Sequence, residues 1–187
     1  MAELLDVLNE DGTPTGEAVS RDKAHREGIL HGTSQIFIYR IKDNKVQILL
    51  QRRSHEKDSF PDCLDISSAG HIPFGVSPED NAVKELNEEL GLIVDKSQLQ
   101  FLFLHRSSGI NNFHGQVFND EQISSVYVLE CDREDFVVQK SELSEVVWQD
   151  ADITIRHIEA EDKEYCLDEW KFKEVTKCIK EIVKDRL

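Results

Sequence analysis

The run from Ser77 to Gly91, SPEDNAVKELNEELG, admits one regular structure, because it carries both ends of a helix within it. Ser77 is placed to cap, Pro78 takes the first helical position where its missing N–H costs nothing, and Glu79 and Asp80 suit the positive end of the helix. Gly91 supplies the left-handed residue that stops it. Inside this helix Glu85, Glu88 and Glu89 are offset by three and four residues. At about 100° per residue they occupy an arc of roughly a quarter to a third of the surface, while Val83, Leu86 and Leu90 fall on the flank and can face a core. Like charges at this spacing repel by about 0.2–0.5 kcal/mol per pair unless something cationic lies over them. The face therefore predicts a divalent cation, of the kind that Mg2+ is when it takes carboxylate oxygens together with phosphate oxygens and water.

A chain of 187 residues fits one domain and can bury a core without disulfides or structural metal. Its 37 acidic against 22 basic residues give a net charge of −15, which argues against a nucleic-acid duplex or an anionic membrane as partner. Small phosphorylated substrates are compatible with that charge, since local Arg and Lys suffice for them. Cys63, Cys131, Cys166 and Cys178 form no C-x-x-C pair and read as reduced thiols, which fits a cytoplasmic protein. The opening MAELLDVLNEDG has no basic stretch followed by an apolar run, and no segment approaches the ~20 apolar residues of a membrane span.

Around the helix the pattern is mixed α and β. LLDVLNEDGTPTGEAVS reads as two short strands about an Asp11-Gly12 turn, followed by a short helix from Arg21 to Glu27. SQIFIYRI and KVQILLQRR are strands joined at Lys42-Asp43-Asn44, and CLDISSAGH is a strand running into the loop before the helix. LQFLFLHR, ISSVYVLE and SEVVWQD are three further strands. From Asp150 the pattern turns helical, and Trp170, Val175, Ile179, Ile182 and Val183 form a stripe expected to pack on the sheet.

Residues 70–92, GHIPFGVSPEDNAVKELNEELGL, resemble the Nudix box, G-x5-E-x7-R-E-U-x-E-E-x-G-U with U a bulky aliphatic. Gly70 opens the motif, Glu85-Leu86 and Glu88-Glu89 fill its acidic pairs, and Gly91-Leu92 closes it. Val76 stands in place of the first glutamate and Lys84 in place of the arginine, so an ion pair that holds loop to helix in the family is missing; Lys84 can pair instead with Asp80 or Glu88. The resemblance covers most of the chain. It implies a single α/β domain of the Nudix-type α/β/α sandwich, a mixed sheet between helices, with an N-terminal extension over residues 1–32 and a C-terminal helix over about 168–186. The extension and the segment LLQRRSHEKDSFPDCLDISSAGH are similar to the branch that includes type I isopentenyl diphosphate isomerase.

Two activities follow from that resemblance. Isomerases carry a catalytic cysteine in C-G-H before the helix; here the residues are Ala69-Gly70-His71, and a further metal-binding glutamate of isomerases falls near Asp120 to Gln122, where the alignment gives Gln122. The hydrolase reading keeps Glu85, Glu88 and Glu89 as ligands of Mg2+, or Mn2+, with Glu89, Glu142 or Glu145 as general base. It implies hydrolysis of a diphosphate bond in a nucleoside diphosphate derivative or another small organic diphosphate, with Arg21, Arg53 and Lys57 binding its phosphates. The alternatives are an isomerase-like enzyme, and a non-catalytic ligand-binding module that Val76 and Lys84 would suit. His25, His31 and His71 match, or nearly match, a metal-binding set of the isomerases; without the cysteine their expected role is to hydrogen-bond the N-terminal segment to the loop. Arg52 is read as structural or solvated, and His55, His105, His114 and His157 as surface or packing residues. Substrate choice is assigned to loops outside the box, SSGINNFHGQ within residues 105–118 among them. Dimerisation is common in the family that this chain resembles, so a homodimer is compatible with the resemblance.

Overall fold

A computed structural model describes residues 3–57, 59–113 and 115–187; His114 lies outside them. The chain begins with a hairpin, β1 (Leu4–Leu8) and β2 (Pro14–Ser20), followed by α1 (Arg21–Glu27). The main sheet is built from β3 (His31–Lys42), β4 (Lys45–Arg53), β5 (Leu64–Asp65), β6 (Ser68–His71), β7 (Gln100–Phe113), β8 (Gln116–Glu130) and β9 (Leu143–Asp150). Its order is β5-β4-β3-β8-β7, with β6 on β3 and β9 on β4. The β3–β8 pair is parallel and its neighbours antiparallel, so the sheet is mixed.

Period-two alternation along β3 sends its side chains into two cores. Ile36 and Ile38 pack with Leu86 and Leu90 of α2 (Pro78–Leu90), while Phe37 and Tyr39 pack with Phe172, Val175 and Ile179 of α4 (Glu169–Ile182), beside α3 (Ala151–Glu159). Helices thus cover both faces, which is the expected α/β/α sandwich. No helix among the described residues is long and apolar enough to cross a membrane.

Three expectations need correction. CLDISSAGH is two strands, not one. β3 pairs with β4 only from Tyr39 onward and with β6 before it, and the Ser67 hydroxyl fills the fork, accepting from Ile38 N at 2.7 Å and donating to Leu49 O at 2.6 Å. The described residues of SSGINNFHGQ are not a loop: β7 and β8 pair from Gln100↔Val128 to Phe113↔Gln116, with one register shift between Phe101 and Phe103, and Gly115 takes φ 80° in the turn. An antiparallel ladder needs backbone partners more than apolar side chains, so the polar stretch continues the hairpin.

The stripe on α4 is also rotated. Phe172, Val175, Thr176, Ile179 and Val183 are buried, whereas Trp170 is 57 % exposed and Ile182 half-exposed. At about 100° per residue Trp170 stands roughly 160° from Phe172, on the far side of the helix.

The N-terminal extension sits on the loop that precedes α2. Leu5, Val19 and Ala24 form a small core there. Phe74 N donates to Leu4 O at 2.8 Å and Gly75 N to Asp6 Oδ2 at 2.8 Å. From below, Asn81 Nδ2 donates to Gly70 O at 3.2 Å and Ser34 Oγ to Pro78 O at 2.8 Å. These bonds secure the loop that lacks the Glu–Arg pair at positions 76 and 84.

Candidate active site

Strand β6 divides the site. Ser68 and Gly70 face α2, whereas Ala69 packs in the opposite core and His71 meets His25 and His31. The two clusters picked out by sequence, acidic and imidazole, therefore occupy opposite sides of one four-residue strand.

On the α2 side Glu89 is only 6 % exposed and accepts from Ser68 Oγ at 2.6 Å and Ala69 N at 3.3 Å. Burial pushes its carboxyl pKa up to about 8; the Ser68 hydrogen bond works against that shift, and the nearby charges of Glu85 and Glu142 add to it. It has no ion-pair partner among the described residues. Glu85 is also raised by burial, with Lys84 opposing the shift. Lys84 reaches Glu88 at 2.8 Å and Glu85 at 3.2 Å, while Asp80 is held by Ser77 and Lys96. The three carboxylates share a helix face as predicted, yet they do not converge: Glu89 turns inward, Glu88 outward to Lys84. Leu86 and Leu90 face the core, but Val83 is only half-buried.

Gly70 is required by this packing. A Cβ there would lie on the Glu85 carboxyl group. Gly70→Ala is expected to displace that carboxylate, lowering turnover about ten- to a hundredfold while the melting temperature stays within a few degrees, since a flexible side-chain end gives way rather than backbone. Unchanged turnover in a steady-state assay would remove Glu85 from the site.

On the other side, among the described residues, His25, His31 and His71 are the one group whose ligand atoms converge, all within 4.8 Å of one another. His25 Nε2 and His71 Nε2 are 3.1 Å apart. His31 is fully buried; its Nδ1 donates to Ile29 O at 2.8 Å, which turns Nε2 toward Asp120. Burial, then the neighbouring His31 and Arg21, lowers His25 to about 4, and burial with Arg21, His31, His25 and Lys57 holds His71 well below the usual imidazole value. Both rings are neutral at pH 7.

Asp120 completes this side. Its Oδ1 lies 3.6 Å from His31 Nε2 and 3.7 Å from His25 Nε2, and among the described residues neither Asp120 Oδ1 nor His31 Nε2 has a hydrogen-bond partner, although both atoms are buried. Asp120 lies at the edge of the stretch, Asp120 to Gln122, where the resemblance places a carboxylate, although the aligned position is Gln122. Positions 120 and 122 share a face of β8 by alternation, and Gln122 Nε2 donates to Asp120 Oδ2 at 3.2 Å, so the carboxylate is present two residues upstream.

The cations named from sequence are all engaged. Arg21 donates to Glu3 at 3.1 Å, Arg53 to Asp65 at 3.1 Å and to Ser59, and Lys57 to Glu142. Arg21 and Lys57 nonetheless lie near enough to His71 to depress its pKa. Arg52 bridges Glu145 and Glu164, each at 2.7 Å, a structural role. Of the three general-base candidates, Glu142 and Glu145 are thus held by Lys57 and Arg52. His55 and His157 pair with Asp62 and Asp162. His105 stacks on Trp170 at 5.1 Å.

A mixed sheet between helices, with a glutamate helix laid along a glycine-started loop, defines the class, and the NUDIX domain model matches residues 33–170. The chain belongs to the NUDIX domain family. It is similar to Nudix hydrolase 3 of Arabidopsis thaliana, 36% identical over 148 residues, a match that covers 77% of this chain but only 19% of that protein. A Nudix hydrolase of Clostridium acetobutylicum is 29% identical over 159 residues, covering 84% of this chain and 74% of that one. Among solved structures, DR0079 from Deinococcus radiodurans shares the fold, with a TM-score of 0.63 at 22% identity over 84% of this chain and 90% of its own. The Arabidopsis and Clostridium relatives are both named as Nudix hydrolases.

Proposed function

We propose that the chain hydrolyses the diphosphate bond of a small organic diphosphate, such as a nucleoside diphosphate derivative, with Mg2+ or Mn2+ held by Glu85, Glu88 and Glu89. The observation that carries this reading is Glu89: a buried carboxylate with no cationic partner among the described residues, beside the partly buried carboxylate of Glu85, on the helix face that the box loop covers. Such a pair is stable in its charged form only with a cation over it, so the donor set fits a hard divalent ion. When bound, that ion supplies charge neutralisation at diphosphate oxygens. Ser68 and the Ala69 amide fix the Glu89 carboxylate, Gly70 leaves room for Glu85, and Lys84 must release one of its two glutamates. Glu89 is also the general base this arrangement favours, having no Lys or Arg to hold it.

At the isomerase cysteine position the side chain is the methyl of Ala69, which supports hydrolysis over isomerisation. A phosphate-release screen with Mg2+ or Mn2+ across nucleoside diphosphate sugars, nucleotides, dinucleotides and isoprenoid diphosphates is expected to find a substrate. An isomerase assay on isopentenyl diphosphate is expected to stay empty; allylic product there, or no turnover of any diphosphate, overturns the reading.

A second metal reading has its own support. Three imidazole nitrogens and the orphaned Asp120 Oδ1 converge, and a borderline-soft ion such as Zn2+ or Mn2+ suits that set. Four free thiols without a pairing partner support a cytoplasmic location.

A further inference from the structure

Strand β7 closes one end of the sheet. It pairs with β8 alone, and among the described residues no backbone bond reaches its other side along Gln100–Phe113. An open edge of that length is a template for a further strand, and proteins that stay apart blunt such edges with short strands, prolines or charges. At the far end of the sheet β5 has only two residues. β7 has neither proline nor lysine, and its one arginine, Arg106, is tied back to Glu10 and Glu121.

Charge indicates what the further strand is. A net charge of −15 keeps copies of this chain apart wherever their acids face each other, yet residues 96–119 contain no Asp or Glu, the longest such run in the sequence. β7 is therefore a side on which two copies can meet. Leu104 and Ile110 lie on one face of the strand and are 50 % and 74 % exposed. Antiparallel pairing of two β7 strands about a two-fold axis at Ser107 sets Leu104 of each copy against Ile110 of the other, an apolar cross-strand pair made twice. On the opposite face the same register sets His105 against Gly109. Nothing within the chain calls for glycine there: its φ is not positive, and a Cβ would meet only Asn111 Nδ2, at 3.7 Å. Glycine inside a strand marks a close approach from elsewhere. Here the approaching group is the His105 ring, with the exposed Trp170 stacked on it at 5.1 Å.

We propose that the outer edge of β7 is a homodimer interface, in which two copies join their sheets by antiparallel pairing of residues 102–112 about Ser107. That is roughly 35 Å of ladder. β3 and β8 separate this edge from the site on β6, so assembly and diphosphate chemistry can be tested apart.

Sedimentation velocity of the full chain over a concentration series reads the assembly. Wild type is expected to pass from monomer to dimer, and Leu104→Lys and Ile110→Glu each to weaken the dimer about tenfold or more. The double variant L104K/I110E should recover most of that loss, since the register then opposes unlike charges. Gly109→Val should weaken the dimer by a similar factor while the melting temperature of the monomer holds or rises, because Val suits a strand better than Gly. In Ser107→Cys the two thiols meet at the axis, and mild oxidation should join the copies through residue 107, read by peptide mass spectrometry; Ser108→Cys, displaced from the axis, should not be joined to itself. Wild type that stays monomeric at every concentration, or a dimer that L104K, I110E and G109V all leave intact, overturns the proposal. A dimer with neither recovery in L104K/I110E nor a disulfide in S107C overturns the register.

Discussion

Replacing Glu89 by Gln is expected to lower turnover by about three orders of magnitude while the protein remains folded. The substitution keeps the size of the side chain and an oxygen that can accept from Ser68 Oγ and Ala69 N, the two bonds that fix it. What it removes is the negative charge, and with it both an ion ligand and the group best placed to take a proton from water. Glu88→Gln is expected to act in the same direction through the metal alone. Stability should move oppositely to activity. The folded-state pKa of Glu89, about 8, lies above the unfolded value, so its contribution is fully favourable at low pH and is lost as pH rises from about 4.5 through about 8. In EDTA, then, wild type should lose on the order of a few kcal/mol between pH 5 and 9, and the E89Q variant should lack that part of the slope. Urea melts at several pH values give one readout and steady-state kinetics the other. Unchanged kcat in E89Q would eliminate Glu89 as ligand and base.

The helix at the centre of this prediction was legible because its signals are local. Ser77 Oγ accepts from Asp80 N at 3.1 Å, and Gly91 takes φ 61° as the C-cap, so a reader of fifteen residues finds both ends. The glutamate face followed from rotation per residue. Which way each carboxylate turns did not, because that depends on Ser68 and Gly70, residues of a strand remote in sequence whose alternation puts only those two against α2. The missing ion pair at Val76 and Lys84 raised doubt about the loop for the same reason. Its replacement comes from Leu4 and Asp6, some seventy residues away, and no pattern within the box encodes them. Asp120, at the edge of the stretch where the resemblance places a carboxylate, was passed over for Gln122 on similar grounds: it is an ordinary acid in an acidic chain until β8 brings it beside the histidines. The polar hairpin of β7 and β8 misled for a different cause, since backbone pairing alone sustains a ladder that side-chain composition argues against.

Adding Zn2+ or Mn2+ to EDTA-treated protein is expected to raise its melting temperature substantially, and His71→Ala is expected to abolish most of that rise. At a free ion concentration a thousandfold above Kd the stabilisation is about 4 kcal/mol, or roughly 8–16 °C for a domain of this size. The expectation rests on two atoms: His31 Nε2 and Asp120 Oδ1 are buried, lie 3.6 Å apart and have no hydrogen-bond partner among the described residues. Were the histidines only there to pin the N-terminal segment to the loop, the His25–His71 contact would suffice and these atoms would have no reason to face each other. Mg2+ should give a smaller effect, because imidazole nitrogen is a poor donor for so hard an ion. The pH dependence gives an independent check. Protons compete with the metal for imidazole lone pairs, and that competition begins only near a ring's own pKa. His25, at about 4, and His71, held well below its usual value, therefore keep their lone pairs free as pH falls. The shift should persist at pH 5.5, where an exposed histidine site would already be releasing its ion. E89Q must keep the zinc shift, since Glu89 lies across β6 from the histidines; equal shifts in wild type and H71A would reduce the cluster to its hydrogen bonds.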